Sequence, residues 1–234
     1  MGGIDRSRRP RQPRALLDKC AIGVTVGAMA RMSPQERREA IVTAAMAVME
    51  RQGIAATTVR DVAAELGTSS GLIHHYVDSM DDLLAEAFAR AAGDDLATTR
   101  AAVESGQDAV DRLALFFDSY ARADDDFGMQ RWLEAWAEAA RRPALQRASR
   151  QLNEAWHSLL ASIIRDGVEH GTMRSDDIEA AAWRVLSLLD GLMLQVVAHG
   201  ALTRAQVDAW SRAGAERELG LRPGVLGAVS ARSM

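Results

Sequence analysis

The chain has 234 residues, 48% of them hydrophobic and 26% charged, so it can bury a core and has the composition of a soluble globular protein. Cys20 is its only cysteine, which excludes an intramolecular disulfide and a cysteine-based zinc site and fits a reducing cytoplasm. No apolar run approaches the roughly 20 residues that span a bilayer, so a membrane is not an expected partner.

Charge is divided unevenly along the chain. Residues 1–77 carry 11 basic and 7 acidic side chains, although the whole chain has a net charge of −4, so the remainder is acidic. A basic front on an acidic body is typical of a DNA-reading head joined to a dimerising body. The alternative is a chance asymmetry together with a basic disordered tail.

The first 31 residues are predicted to form a flexible basic arm, or else an over-long start with Met29 or Met32 as the initiator. The segment carries five early arginines: Arg6, Arg8, Arg9, Arg11 and Arg14. A signal peptide is disfavoured because the apolar part, residues 21–30, is short and interrupted by two glycines. An arm of this kind could follow DNA phosphates.

The rest of the chain is predicted to be all-α, with about nine helices. Ala, Leu, Glu and Arg dominate, and strand alternation is absent from the sequence pattern. Ser33 is expected to cap the first helix, with Pro34 at its first position and Glu36 completing a capping box. Gly53 is expected to end this helix.

Residues 54–83 contain two short helical patterns at helix-turn-helix spacing. Thr58 is a plausible N-cap for an amphipathic run whose apolar positions are Val59, Val62, Ala63 and Leu66. Gly67 then permits a turn, a second short helix follows over residues 71–77, and Ser79 caps a further helix. Such a unit presents the start of its second helix to the DNA major groove.

DNA contacts are predicted from the position of each side chain in this unit. Thr58 and Arg60, at the start of one helix, are expected to reach phosphates. Base edges are expected within reach of Ser69, Ser70, Gly71, Leu72 and His75 at the start of the next helix, whereas His74 and Tyr76 are placed for the DNA backbone.

Residues 35–90 resemble the N-terminal domain of the TetR family of bacterial transcriptional repressors. The matching residues are Gly53, 57–63, 66–71, Tyr76, Ser79, Leu83 and Leu84. Within that family, the segment GLIHHYV is most similar to the subgroup that represses choline-to-betaine genes. The resemblance implies a homodimeric repressor that binds a palindromic operator in double-stranded DNA and responds to a small-molecule effector.

Three positions depart from the family pattern. Met80 stands where the family usually has a Lys that grips a phosphate, so one expected DNA contact is missing. His74 replaces a frequent Tyr, and Val77 replaces a frequent, larger Phe. DNA affinity is therefore expected to depend more on Arg60 and on the recognition-helix hydroxyls.

The predicted domains are a helix-turn-helix domain over residues 32–78 and a helical effector-binding and dimerisation domain over 79–220, followed by a loose tail over 221–234. The body helices are predicted at 79–104, 107–123, 127–141, 143–169, 176–199 and 203–219. The tail is expected because Gly220, Pro223, Gly224 and Gly227 break helical structure there.

The helix over 176–199 is apolar almost all round, so it must be buried on more than one side. It is either the centre of a monomeric bundle or, as a palindromic site favours, packed partly on a second subunit. The predicted dimer contacts are Trp183, Leu186, Leu189, Asp190, Gly191, Met193 and Val197. A structural hydrogen bond and a ligand contact remain alternative roles for Asp190.

An effector pocket is implied by the resemblance, and aromatic and sulphur-containing side chains in the body are its local candidates. These candidates are Phe116, Phe117, Tyr120, Met129, Trp132, Trp136, Asn153, Trp156 and His157. Trp132 and Trp136 lie one helical turn apart and could form a wall against a flat or cationic ligand. Ordinary core packing is the alternative for each of them.

Catalysis, a metal and a cofactor are not expected. The histidines lack metal-ligand spacing, and the sequence has neither a Walker-type phosphate-binding loop nor a cysteine nucleophile motif. The main competing function is that of a helical adaptor without sequence-specific DNA binding. Salt-sensitive binding to duplex DNA distinguishes the two functions.

Overall fold

The computed structural model describes residues 32–120 and 126–230, and within these ranges the chain forms ten α-helices. Their bounds are α1 Pro34–Gln52, α2 Val59–Glu65, α3 Ser70–Tyr76, α4 Met80–Glu104, α5 Ala109–Tyr120, α6 Asp126–Ala139, α7 Pro143–Glu169, α8 Ile178–Val197, α9 Arg204–Glu218 and α10 Val225–Ser230. The all-α prediction is confirmed. The arm predicted over residues 1–31 lies outside the described residues.

Hydroxyl side chains begin the helices of the head where the sequence predicts them. Ser33 and Thr58 each form a capping box, with Glu36 and Asp61 as the respective partners. The Ser79 hydroxyl accepts a hydrogen bond from a backbone N–H in the first turn of α4. These bonds satisfy N–H groups that a helix start would otherwise leave unpaired, and they fix where each short helix starts.

Two hydrophobic clusters share α4. The head core combines α1, α2, α3 and the first half of α4 and is completed by three body residues, Ala135, Ala144 and Leu145. The body core lies among the end of α4 and the helices that follow it. Trp132 and Leu152 pack against both clusters. The two cores are therefore in contact through side chains of α6 and α7.

The prediction of a loose tail over residues 221–234 is wrong for 225–230, which form the tenth helix. Leu226 is completely buried, and the buried Glu216 carboxylate accepts hydrogen bonds from the backbone N–H groups of Gly224 and Leu226. Arg212, 6% exposed, forms an ion pair with Asp208 and lies 5.4 Å from the Phe117 ring centroid. These charged groups are paired, so their burial holds the end of the chain against α5 and α9.

Helix α8 is long and apolar enough to cross a membrane by length and composition alone. Its inward side chains are nevertheless buried within the bundle: Ala181, Ala182, Val185, Leu186, Leu189 and Met193. The core helix of a soluble protein passes the same test. One face of α8 is therefore packed into the core of the bundle.

Candidate functional site

The start of the recognition helix α3 faces solvent. Ser69, Gly71, His74 and His75 are exposed, and Ser70 and Leu72 are half-buried. Ser69 is the N-cap residue, but its hydroxyl makes no capping hydrogen bond. Ile73 and Val77 fill the opposite side of this helix as core residues. The arrangement leaves one face of α3 available to a base edge or a phosphate.

Thr58 and Arg60 differ in what they can offer to DNA. The Thr58 hydroxyl donates to Asp61 Oδ2 at 2.6 Å and accepts from the Asp61 backbone N–H, so it is engaged in the capping box. Arg60 is exposed and makes no hydrogen bond or ion pair with the other described residues. A phosphate contact is therefore better supported for the Arg60 side chain than for the Thr58 hydroxyl.

Tyr76 is held by a residue that the sequence did not single out. Arg37 Nη1 on α1 donates to the Tyr76 hydroxyl at 2.7 Å, and the His75 and Tyr76 rings meet edge to face with centroids 5.0 Å apart. As an acceptor from Arg37, the phenol still has its own O–H to donate. Arg37 therefore adds positive charge beside the predicted phosphate contact.

A cavity of about 200 Å³ lies among α4, α5, α6, α7 and α8. Its aromatic walls are Tyr120, Trp132, Trp136 and Trp156. The centroids of the two indoles on α6 are 5.7 Å apart, and the rings on α5 and α7 meet edge to face at 6.1 Å. Trp136 is 38% exposed, so the cavity meets solvent on that side.

Six of the nine predicted effector residues line this cavity: Tyr120, Met129, Trp132, Trp136, Asn153 and Trp156. The other three do not, because the side chains of Phe116 and Phe117 are packed in the body core and His157 stacks on Trp183 with ring centroids 4.3 Å apart. The sequence missed the polar lining, which consists of Asp95, Thr98, Thr99, Ser119 and Asp190.

Asp95 and Asp190 place two carboxylates in the described part of the cavity lining. Among the described residues that line it, neither Lys, Arg nor His is present. Asp95 Oδ2 pairs with Arg131 Nη1 at 2.9 Å, whereas Asp190 makes no ion pair with any described residue. The Tyr120 hydroxyl donates to Asp190 Oδ1 at 2.6 Å. A cation would thus find a carboxylate beside electron-rich ring faces.

Burial shifts the proton affinity of this pair. It raises the pKa of Asp190, because desolvation disfavours the charged carboxylate, while the hydrogen bond from Tyr120 acts in the opposite direction. Burial and the neighbouring carboxylate raise the pKa of Tyr120 well above its usual value. Tyr120 therefore stays protonated and remains a donor to Asp190. The structural role predicted as one alternative for Asp190 coexists with a place in the cavity wall.

The predicted dimer contacts on α8 divide into two faces. Leu186, Leu189 and Met193 are each 2% exposed within the single chain, so they point into its own core and the prediction of them as contacts to a second subunit is corrected. Their spacing, i, i+3 and i+7, places them on one side of the helix. Trp183 and Gly191 are exposed, and Val197 is half-buried.

Helices α8 and α9 carry three exposed large apolar side chains: Trp183, Leu188 and Trp210. The two helices approach closely at Gly214 on α9, where an added Cβ would clash with the Leu188 side chain. Exposed apolar side chains on adjacent helices mark a surface suited to association. Sequence reasoning missed Leu188 because periodicity did not separate the two faces of α8, and it did not single out Trp210 on α9.

Two family models match the chain. Residues 41–87 match the model described as bacterial regulatory proteins of the tetR family, and residues 109–220 match the C-terminal model of the BetI-type transcriptional repressor. The first match covers the helix-turn-helix head, and the second covers most of the body that encloses the cavity.

Relatives of known name are also described as BetI transcriptional regulators. The HTH-type transcriptional regulator BetI 1 of Chromohalobacter salexigens is 30% identical over 183 residues, which are 76% of this chain and 84% of that protein. The BetI regulator of Stenotrophomonas maltophilia is 29% identical over 178 residues, 74% of this chain and 85% of that protein.

Solved structures of transcriptional regulators have a similar fold. A putative transcriptional regulator from Pseudomonas aeruginosa PAO1 superposes with a TM-score of 0.69 at 28% identity, covering 87% of this chain and 97% of that one. A putative regulator from Saccharomonospora viridis, solved in complex with choline, has a TM-score of 0.70 at 26% identity and covers 79% and 98%.

Proposed function

The chain belongs to the TetR family of bacterial regulatory proteins and carries a BetI-type repressor body, and from this premise we propose that a small quaternary ammonium cation of the choline type releases it from its operator. Membership of the family makes it a ligand-responsive DNA-binding transcriptional regulator. The effector class, the operator symmetry, the dimer and a cytoplasmic location are proposals.

The cavity carries the effector proposal. Its four aromatic rings offer negatively polarised faces, and Asp190 supplies a carboxylate without a basic partner among the described residues. Quaternary ammonium ions are recognised by such aromatic cages, because they are attracted to ring faces and need no hydrogen-bond acceptor. The choline in the Saccharomonospora viridis regulator supports the same class of ligand.

Trp156 adds a donor for an uncharged end of the ligand. It borders the cavity, and its buried indole Nε1 makes no hydrogen bond with the described residues. A ligand oxygen within reach would be an acceptor for this N–H. Choline carries both a quaternary ammonium and a hydroxyl.

We propose that the repressor is a homodimer and that its operator is palindromic. The exposed apolar side chains of α8 and α9, Trp183, Leu188 and Trp210, are the proposed contact between subunits. Two recognition helices in successive major grooves on one side of the duplex lie about 34 Å apart, which a two-fold dimer can match. The DNA contacts proposed on each head are those of Arg60, Tyr76 and the exposed face of α3.

Calorimetric titration tests the effector class. Choline is compared with 3,3-dimethyl-1-butanol, which has nearly the same shape but carbon in place of the charged nitrogen. We expect choline to bind and the neutral alcohol to bind at least tenfold more weakly, because only the cation gains from the ring faces and from Asp190. Equal binding of both ligands, or binding of neither, contradicts the proposal.

Selection of bound sequences from random duplex DNA tests the operator. A palindrome is the expected product. Choline should weaken binding of the protein to that sequence, and the neutral alcohol should have no effect on it. Enrichment of a single unsymmetrical half-site contradicts the dimeric readout. If nothing is enriched, the helical adaptor is the better description.

A further inference from the structure

A carboxylate on the cavity helix α6 is bonded to the backbone of the DNA-binding head. The N–H of Ile54, in the loop between α1 and α2, donates to Glu134 Oε2 at 2.8 Å. The residues are 80 positions apart in sequence, so this bond joins the body to the head. Gln130, one turn earlier on α6, donates to the other carboxylate oxygen at 3.2 Å.

The backbone of the loop leaves room for this carboxylate to approach closely. Gly53 ends α1 with φ +86°, a conformation that other residues rarely adopt. A Cβ at this position would lie 3.0 Å from Glu134 Oε2 and 3.1 Å from Oε1. The absence of a side chain at Gly53 therefore serves both the turn and the close approach of Glu134.

The loop is short and internally hydrogen-bonded, so a change in its position is expected to move the helix-turn-helix with it. The Thr57 hydroxyl donates to the Gly53 carbonyl at 2.7 Å, and Thr57 and Ile54 are buried. Gln52, at the end of α1, donates to the Ala56 carbonyl at 3.0 Å and to Asp61 Oδ2 on α2 at 3.1 Å. Movement of Ile54 is thus expected to carry α2 with it.

The other face of α6 forms part of the cavity wall. Trp132 lines the cavity and also meets the Phe88 ring of the head core edge to face, with centroids 5.1 Å apart. Arg131 holds the cavity residue Asp95. A ligand that packs against the indoles and displaces α6 would therefore also move Glu134, which lies two residues from each of them.

We propose that Glu134 is the residue that couples the cavity to the head, by bonding α6 to the loop that begins the helix-turn-helix. The Glu134 carboxylate is a positioning residue, since it acts on DNA through Ile54 and on the ligand through α6. This inference deepens the proposed function and rests on it for the identity of the effector and for the operator DNA used in its test. Coupling requires that the two sites favour different arrangements of one element, and α6 with its bonded loop is that element.

Hydrogen exchange of α6 gives a test that needs no effector, because coupling between two binding sites is reciprocal. The variants are Glu134→Ala, Glu134→Gln and, as a matched control, Glu154→Ala, whose ion pair is with Arg150 on its own helix. Each protein is measured alone and with saturating operator DNA from the selection experiment. Thermal unfolding verifies that every variant is folded.

In the wild-type protein we expect DNA to change amide exchange in residues 126–139 at least twofold. Glu134→Ala should lose that DNA-induced change although DNA is bound, Glu134→Gln should keep part of it because an amide oxygen still accepts, and Glu154→Ala should match the wild type. A merely structural role would alter the baseline exchange but not the response to DNA. An unchanged response in Glu134→Ala, or none in the wild type, overturns the inference.

A second arm measures operator affinity with and without choline. Glu134→Ala should bind choline within about twofold of the wild type, while the ratio of operator dissociation constants with and without choline falls towards 1 from the 5- to 150-fold range common for coupled sites. If choline does not bind the wild-type protein, the proposed effector is wrong, and the exchange experiment still decides the role of Glu134.

Discussion

The Tyr120 hydroxyl on α5 donates a 2.6 Å hydrogen bond to Asp190 Oδ1 on α8, and both residues line the same cavity. The bond orients a carboxylate that has no basic partner among the described residues. Because a buried charge needs compensation, this carboxylate is the group that a cationic ligand would satisfy.

Replacement of Asp190 by Asn should weaken choline binding at least tenfold. The amide keeps an acceptor for Tyr120 but removes the negative charge, so the loss is electrostatic rather than steric. Calorimetry measures the affinity, and Asp176→Asn, at an exposed position, serves as the control for charge. Unchanged choline affinity in Asp190→Asn would place the cation elsewhere.

Choline affinity should depend on pH with a definite sign. Burial raises the pKa of Asp190 in the free protein, and the ligand favours the ionised form. Affinity is therefore greatest above that raised pKa and falls as pH drops through it, by up to about tenfold per pH unit. Titrations of wild type and Asp190→Asn at a series of pH values test this, since the variant should show no such dependence.

The same shift makes a prediction for stability. A raised pKa means that the folded protein holds the Asp190 proton more tightly than the unfolded chain, so this contribution is present at low pH and is lost as pH rises through the raised value. Asp190→Asn should therefore gain thermal stability relative to wild type as pH increases. A constant difference in melting temperature between the two proteins over this range would contradict the shift.

Trp136 and Trp132 should behave differently when each is replaced by Leu. Trp136 is 38% exposed, so its loss should weaken choline binding roughly 3- to 30-fold, the range expected for a cation–π contact, with little change in melting temperature. Trp132 packs against both hydrophobic clusters, so its replacement should also lower thermal stability. Scanning calorimetry with ligand titration separates the two effects.

Arg60→Ala should reduce the salt dependence of operator binding. Removing one phosphate contact lowers the slope of log affinity against log salt concentration by about 1 and weakens binding across all sequences. Arg147, exposed on the body helix α7, provides the matched control. If Arg60→Ala and Arg147→Ala give the same slope, Arg60 does not contact the DNA backbone.

Leu188→Glu should dissociate the proposed dimer. The Leu188 side chain is 37% exposed on α8, and a carboxylate from each subunit would be desolvated at the proposed contact. Sedimentation velocity measures the assembly state, and Ser187→Glu, also exposed on α8, tests whether the effect is specific to the apolar position. A dimeric Leu188→Glu protein would move the interface to another surface.

The frame of the head could be predicted because its signals are local. The hydroxyls of Ser33, Thr58 and Ser79 each accept a hydrogen bond from the backbone N–H three residues later. The link between Ile54 and Glu134 could not be predicted, because it joins positions 80 residues apart and depends on how the body packs on the head.

The cavity was predictable only in part for the same reason. The neighbouring indoles on α6 follow from i, i+4 spacing, but Asp95 and Asp190 reach the cavity from helices whose rotation is set by tertiary packing. Helix α8 is apolar on nearly every side, so its sequence does not reveal which side is the core. Helix α10 was missed because its stability comes from the buried Arg212 and Glu216 rather than from its own six residues.

The head core includes Ala135, Ala144 and Leu145 of the body among its buried members. Residues 32–78 therefore share their core with residues of α6 and α7. Recombination that joins this head to the body of another regulator would have to preserve the α6–α7 corner as well as the junction at α4. A chimera in which only the sequence boundary between head and body is respected would leave hydrophobic side chains of the head core exposed where α6 and α7 now cover them.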